Sequence, residues 1–160
     1  MRITAIDPGI STGWVVANYE GGVPEIIEYG QERFDGPIEA TRFIISRLLP
    51  DTTDVLILEQ FDLRPQNKFT AELSPVEINA ILKYWVEYLG DSRIQLVFTT
   101  PAQHKGLVTN EALKNIGWYV MPKQVGQKDA DDARDAFRLL THYIVTVEKD
   151  KEFTLCGWPR

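Results

Sequence analysis

A single cysteine, Cys156, in 160 residues excludes an internal disulfide and any metal site built from several thiolates. Two histidines, His104 and His142, are too few to form a zinc cage alone. Any metal bound by this chain must therefore be held mainly by carboxylates. No run of about 18 apolar residues occurs, and the opening MRITAIDPG lacks the charged and apolar regions of a secretory signal. A soluble, intracellular protein is expected. There is no internal repeat and no low-complexity segment. With 44% hydrophobic content, the length suits one globular domain of the α/β or α+β kind and is too short for two ordinary ones.

Positive charge is also scarce. The net charge is −6, the wrong sign for a protein that tracks phosphate backbones. Its distribution is uneven: nine acids face four bases in residues 1–58, seven face eight in residues 59–128, and seven face five in residues 129–160. Only the middle third is not acidic. If four of the carboxylates took up two divalent cations, the net would fall from −6 to −2, and the objection would weaken.

The residues that are present fall into a clear order. Arg2 to Asp7 and Thr12 to Tyr19 are β-rich runs around the turn at Gly9 to Ser11, as in a hairpin. A third strand is predicted within Ile26 to Phe34, after Gly21-Gly22. Pro37 suits the first position of a helix whose apolar pairs Ile44/Leu48 and Ile45/Leu49 recur every four residues, and Pro50 stops it. The nearly continuous apolar run Asp54 to Glu59 reads as a buried parallel strand. Residues 60–73 are polar and irregular, as in a functional loop. Ser74-Pro75-Val76-Glu77 has the pattern of a capping box, and Ile78, Ile81, Leu82, Trp85 and Leu89 mark one helical face ending at Gly90. Ile94 to Phe98 makes another strand, broken by Pro101, and Thr109 to Ile116 a short helix ended by Gly117. Pro122 to Lys128 is a basic linker. From about Asp129 to Val147, Ala133, Phe137, Leu140 and Ile144 recur at helical spacing. The pattern divides the chain into a domain over residues 1–147 and a tail over 148–160, charged and then aromatic, to which no element is assigned. Three antiparallel strands followed by two parallel ones give an α/β fold, a mixed five-stranded sheet flanked by helices.

Asp7 closes the first strand and Glu59 the first buried parallel strand, at the sheet end where chemistry usually sits. On the last helix Asp132 and Asp135 are three residues apart and share a face. At about 100° per residue they lie on one flank of the apolar stripe, while Asp131 points away from it. Four carboxylates brought together would repel one another and some would stay protonated. Hard cations such as Mg2+ or Mn2+ prefer oxygen ligands, and two of them about 3.5–4 Å apart can assist hydrolysis of a phosphodiester.

The segment Ala5-Ile6-Asp7-Pro8-Gly9-Ile10-Ser11-Thr12-Gly13-Trp14 resembles the opening motif of the RuvC-like Holliday-junction resolvases, in the RNase H-like superfamily. Leu58-Glu59-Gln60-Phe61 resembles their second motif and Asp132-Ala133-Arg134-Asp135-Ala136 their last. The likeness in spacing and order runs over residues 2 to 145. The resemblance implies an RNase H-like nuclease domain and a Mg2+- or Mn2+-dependent endonuclease. Such an enzyme would cut branched DNA, meaning four-way junctions, forks or flaps, and leave 5′-phosphate ends. It also implies that Asp7 bridges two metal ions while Glu59 and Asp132 or Asp135 bind one each. The family's phosphate-contacting base falls near Pro101-Ala102-Gln103-His104-Lys105, which points to Lys105, with His104 adjacent. A junction-wedging aromatic falls on Phe61 or Phe69. The helix over 74–89 joins two subunits in that family, so a homodimer is implied. Compact members occur in bacteria and their phages, which implies a cytoplasmic location in a bacterial cell or an infected host.

Other readings of the same residues stand beside these. Gly9 and Gly13 allow a tight hairpin and need no other purpose. Arg64, Lys68, Lys105, Lys123, Lys128 and Arg134 form a phosphate-tracking set or simply a solvated face. Trp14 and Trp118 read as core or rim packing, and His142 as structural. An actin-like ATP-dependent phosphotransferase would use the same Asp-x-Gly turn but needs a second lobe. A catalytically inactive RNase H-like DNA-binding module would need no acids.

Overall fold

The computed structural model describes residues 1–49, 52–61, 73–89 and 93–157. Strands β1 (Arg2–Asp7), β2 (Ser11–Asn18) and β3 (Glu25–Arg33) pair antiparallel. On the far side of β1, strands β4 (Val55–Glu59) and β5 (Gln95–Thr99) pair parallel, giving the order β3-β2-β1-β4-β5. This is the mixed five-stranded sheet that the sequence pattern implies. The parallel β4–β5 step needs a crossover, which the described residues supply as a helix packed on one face.

Alternation along the strands sorts their side chains into two cores. Ile6, Leu56 and Leu58 face one side, which is covered by α1 (Pro37–Phe43) and α2 (Ser74–Tyr84) through Ala40, Ile44, Ile78, Leu82 and Val86. Both helices continue into π-helical turns, Ile44–Leu48 and Trp85–Leu89. The second of these changes the face read from the sequence. A π turn takes an extra residue and rotates the remainder of the helix about its axis. Val86, four residues after Leu82, is buried at 4% exposure, and beyond it Leu89, expected on the inner face, is 67% exposed. Nor does the anticipated Ser74 side-chain cap form. The Leu73 carbonyl, one residue earlier, accepts from the Val76 and Glu77 amides at 2.9 and 3.1 Å.

Ile3, Ala5, Val55 and Ile57 face the other side, under α6 (Asp131–Thr146), whose Ala133, Phe137, Leu140 and Ile144 carry the expected stripe. Short helices α3 (Pro101–Leu107), α4 (Asn110–Asn115) and α5 (Pro122–Val125) line this face. Pro101, expected to break the strand, follows the end of β5 at Thr99 and also starts α3, because a proline in the first turn lacks only an amide that has no partner there. Gln103 Oε1 accepts the Thr100 N–H at 2.8 Å and closes that end. The segment after α6 forms α7 (Lys151–Gly157). Its Phe153 is 1% exposed and stacks on Trp118 at 5.5 Å, within the same core.

Candidate metal centre

The β1–β4 register pairs Ile6 with Leu58, so Asp7 and Glu59 come next, side by side at the carboxyl ends of adjacent parallel strands. Both share the strand parity of the residues under α6 and therefore turn their carboxylates toward that helix. Asp135 comes from α6 itself and is buried at 8% exposure, whereas Asp131 is exposed. This is the division that the helix angle predicts. One carboxylate oxygen from each of Asp7, Glu59 and Asp135 lies within 4.8 Å of the other two.

The helix reaches the sheet because of a glycine. Gly13 has no positive φ, so its place in the hairpin does not demand glycine. A Cβ there would lie 2.1 Å from the backbone carbonyl carbon and oxygen of Asp132. The first turn of α6 rests directly on β2 at this point.

Charges crowd the centre. Burial, and then the carboxylates of Glu59, Asp135 and Asp132, push the Asp7 carboxyl well above the usual range, with Lys105 opposing. The Lys105 ammonium sits among the acids, 2.6 Å from Asp135 Oδ2 and 3.7 Å from Glu59 Oε2. Its half-buried position disfavours charge, but the bond to Asp135 and the surrounding carboxylates outweigh this and raise its pKa. Arg138 donates to Asp135 Oδ1, to the Asn110 side chain and, at 3.1 Å, to the Val108 carbonyl. His104, wholly buried, places Nε2 2.6 Å from Glu59 Oε2. Three clustered carboxylates, one of them disfavoured as an anion by its neighbours, match the donor set of a hard divalent cation. The fit is chemical: oxygen ligands only, with excess negative charge to offset.

Asp132 lies to the side of this cluster. Its carboxylate accepts from Ser11 Oγ. Burial first, then Asp129, Asp135 and Asp131, raise its pKa, against the lowering effect of Ser11. Among the residues anticipated at a DNA surface, Lys123 on α5 and Lys128 beyond it are exposed. Phe61 lines a shallow pocket of about 350 Å³ with Gln60, Val76, Asn79, Lys83 and Phe98. Arg64, Lys68 and Phe69 lie outside the described residues. Arg134, read with the lysines as a phosphate-tracking set, has its side chain largely buried. It pairs with Asp131, donates to the Val120 carbonyl at 3.2 Å and stacks over Tyr119.

Three neighbours of the acids hold them in ways not read from sequence. Arg138 stands three residues after Asp135, a helical spacing that brings opposite charges together. The place of His104 becomes visible once Thr100-Pro101-Ala102-Gln103 is recognised as a helix start. Ser11 carries no local signal.

No protein-family model and no curated protein sequence matches the chain. Solved structures do. The fowlpox virus Holliday junction resolvase superposes with a TM-score of 0.62, covering 90% of this chain and 98% of its own at 17% identity. Thermus thermophilus RuvC gives 0.61 over 94% and 98% at 20% identity. The same bacterium's RuvC in complex with a Holliday junction substrate gives 0.60 over 93% and 96% at 17%. The fold is that of the RuvC-type resolvases. On this fold Asp7 and Glu59, at the ends of the two central parallel strands, meet Asp135 of α6.

Proposed function

We propose that the chain is a Mg2+- or Mn2+-dependent endonuclease that hydrolyses phosphodiester bonds in branched DNA, acting as a homodimer in the cytoplasm of a bacterium or of its phage-infected cell. The observation that carries this reading is the meeting of Asp7, Glu59 and Asp135 within 4.8 Å on a fold shared with junction resolvases. Asp7, Glu59 and Asp135 would hold the ions, with Asp132 alongside. Divalent ions bound there supply Lewis acidity for phosphodiester hydrolysis.

The protein's own groups divide the remaining work. Lys105, with its side chain 44% exposed, is the base able to leave Asp135 for a substrate phosphate; the wholly buried His104 is not. Lys123 and Lys128 would hold the flanking backbone and set register without reading sequence. Of the two aromatics expected to meet a distorted junction, Phe61, beside an open pocket, lies among the described residues. The outer side of α2 and its π turn leaves Val76, Tyr84, Tyr88 and Leu89 exposed, a surface suited to a second copy and so to paired cuts.

The test is a cleavage assay with Mg2+ and with Mn2+ on four-way, fork, flap and linear DNA, using wild type and Asp7→Asn. Cutting of branched substrates is expected, abolished in the variant while junction binding persists. Exclusive cutting of linear duplex would refute the junction specificity, and full activity of Asp7→Asn would refute the mechanism.

A further inference from the structure

We infer that His104 is a positioning residue for Glu59, fixing the carboxylate that this chain presents to a divalent cation; the inference rests on the metal-centre reading above. Three anchors converge on Glu59. Its backbone is held from α2, where Asn79 Nδ2 donates to the Glu59 carbonyl at 2.9 Å, and by β5, where the next residue's amide bonds to the Thr99 carbonyl at 2.9 Å. Its side chain is held from α3 by His104, whose Nε2 lies 2.6 Å from Oε2. Glutamate has more rotatable side-chain bonds than either aspartate in the cluster, so it has the greatest need of an external hold. Asp135 is already gripped by Lys105 and Arg138.

The imidazole is suited to this one task. Glu59 accepts, so the proton of the bond sits on Nε2. Nδ1 is buried with no hydrogen-bond partner and is then the bare nitrogen, a smaller burial penalty than an orphaned N–H donor. At 0% exposure the ring cannot reach substrate, and it acts only through Glu59. Hydrogen-bond partners of metal-binding side chains typically contribute about 10–100-fold in metal affinity or activity. His104 also sits one residue before Lys105 on the same short helix. A single rigid element thus sets both the Glu59 carboxylate and the ammonium that faces it.

The experiment is calorimetric titration of the full chain with Mn2+ alone, without DNA. His104→Leu, which keeps bulk and removes the donor, is expected to bind Mn2+ about 10–100-fold more weakly. His104→Gln, whose amide nitrogen reaches the Nε2 position, should stay within a few-fold of wild type. His104→Asn, whose nitrogen reaches only the Nδ1 position, should resemble the leucine variant. In a Glu59→Gln background, His104→Leu should add no further loss. Wild-type Mn2+ affinity in the leucine variant, or an equal loss in both backgrounds, overturns the assignment and leaves the metal centre standing. If leucine does not fold, the glutamine and asparagine variants decide, and equal affinity in those two overturns it. A wild-type chain that takes up no Mn2+ overturns the metal centre and this assignment together.

Discussion

Gly13 of β2 and Asp132 of α6 lie so close that a Cβ on the glycine would come within 2.1 Å of the Asp132 carbonyl. The neighbour there is main chain, which cannot rotate aside as a side chain can. Gly13→Ala must therefore push the first turn of α6 off the sheet, taking Asp132 and Asp135 with it. Overpacking of this kind costs about 1–3 kcal/mol, and a loss of that size lowers Tm by about 2–4 °C per kcal/mol in a chain of this length. Thermal melting should show the drop. Titration with Mn2+ should show weaker binding, and unchanged Mn2+ affinity in a folded variant would mean that α6 does not depend on this contact.

Lys105 occupies the space between Asp135 and Glu59, 2.6 and 3.7 Å away, which is the region a cation would enter. Removing its charge should have opposite effects on binding and on turnover. Lys105→Ala is expected to bind Mn2+ several-fold more tightly, since unit charges about 4 Å apart interact by about 1 kcal/mol even in water. Its junction cleavage should fall about 10²–10³-fold, as when a single preorganised donor is lost from a reacting anion. Parallel calorimetry and single-turnover cleavage separate the two effects. Full cleavage in the variant would remove Lys105 from the reaction.

Asp7 gives the metal-free protein a characteristic pH response. Burial and the neighbouring acids raise its pKa in the folded chain above the ordinary 3.8. Between those two values the folded state binds more protons than the unfolded state, so stability falls as pH rises through that window. Asp132, shifted in the same direction, adds to the slope. With chelator present, Tm should fall as pH climbs from about 4 toward neutrality. Saturating Mg2+ should reverse the fall, because a ligand that binds only the folded state stabilises it. Asp7→Asn, which has nothing to titrate, should show a shallower slope and melt higher than wild type in chelator at neutral pH. Differential scanning fluorimetry over a pH series checks all three points.

Much of this was legible in the sequence, and for local reasons. A carboxylate that ends a short apolar run, as Asp7 and Glu59 do, can be placed at a strand end from periodicity alone. The stripe of Ala133, Phe137, Leu140 and Ile144 fixes the phase of α6, and that phase separates buried Asp135 from exposed Asp131. Features that depend on contacts distant in sequence were not legible. Gly13 looks like a turn glycine, yet its requirement comes from a helix more than a hundred residues later. Ser11 meets Asp132 by the same long-range packing. The π turn at Trp85–Leu89 has no motif and moves Leu89 outward. At Pro101 the end of β5 was readable and the start of α3 was not: with Thr100 and Gln103 around it the proline also opens a helix, and with α3 come His104 and Lys105.

The three clustered acids lie at positions 7, 59 and 135, so the centre is assembled from the first strand, the middle of the sheet and the last long helix. A growing chain that has not yet produced α6 holds two of the three. Each half of the centre is too poor in ligands to retain an ion well, so on the proposed reading cation binding, and any cutting that depends on it, would be withheld from partly made chains. If the proposed activity holds, completion of synthesis and folding of the last helix would be the event that arms it. A fragment that stops short of α6 should be inert toward DNA even where its β-sheet has formed.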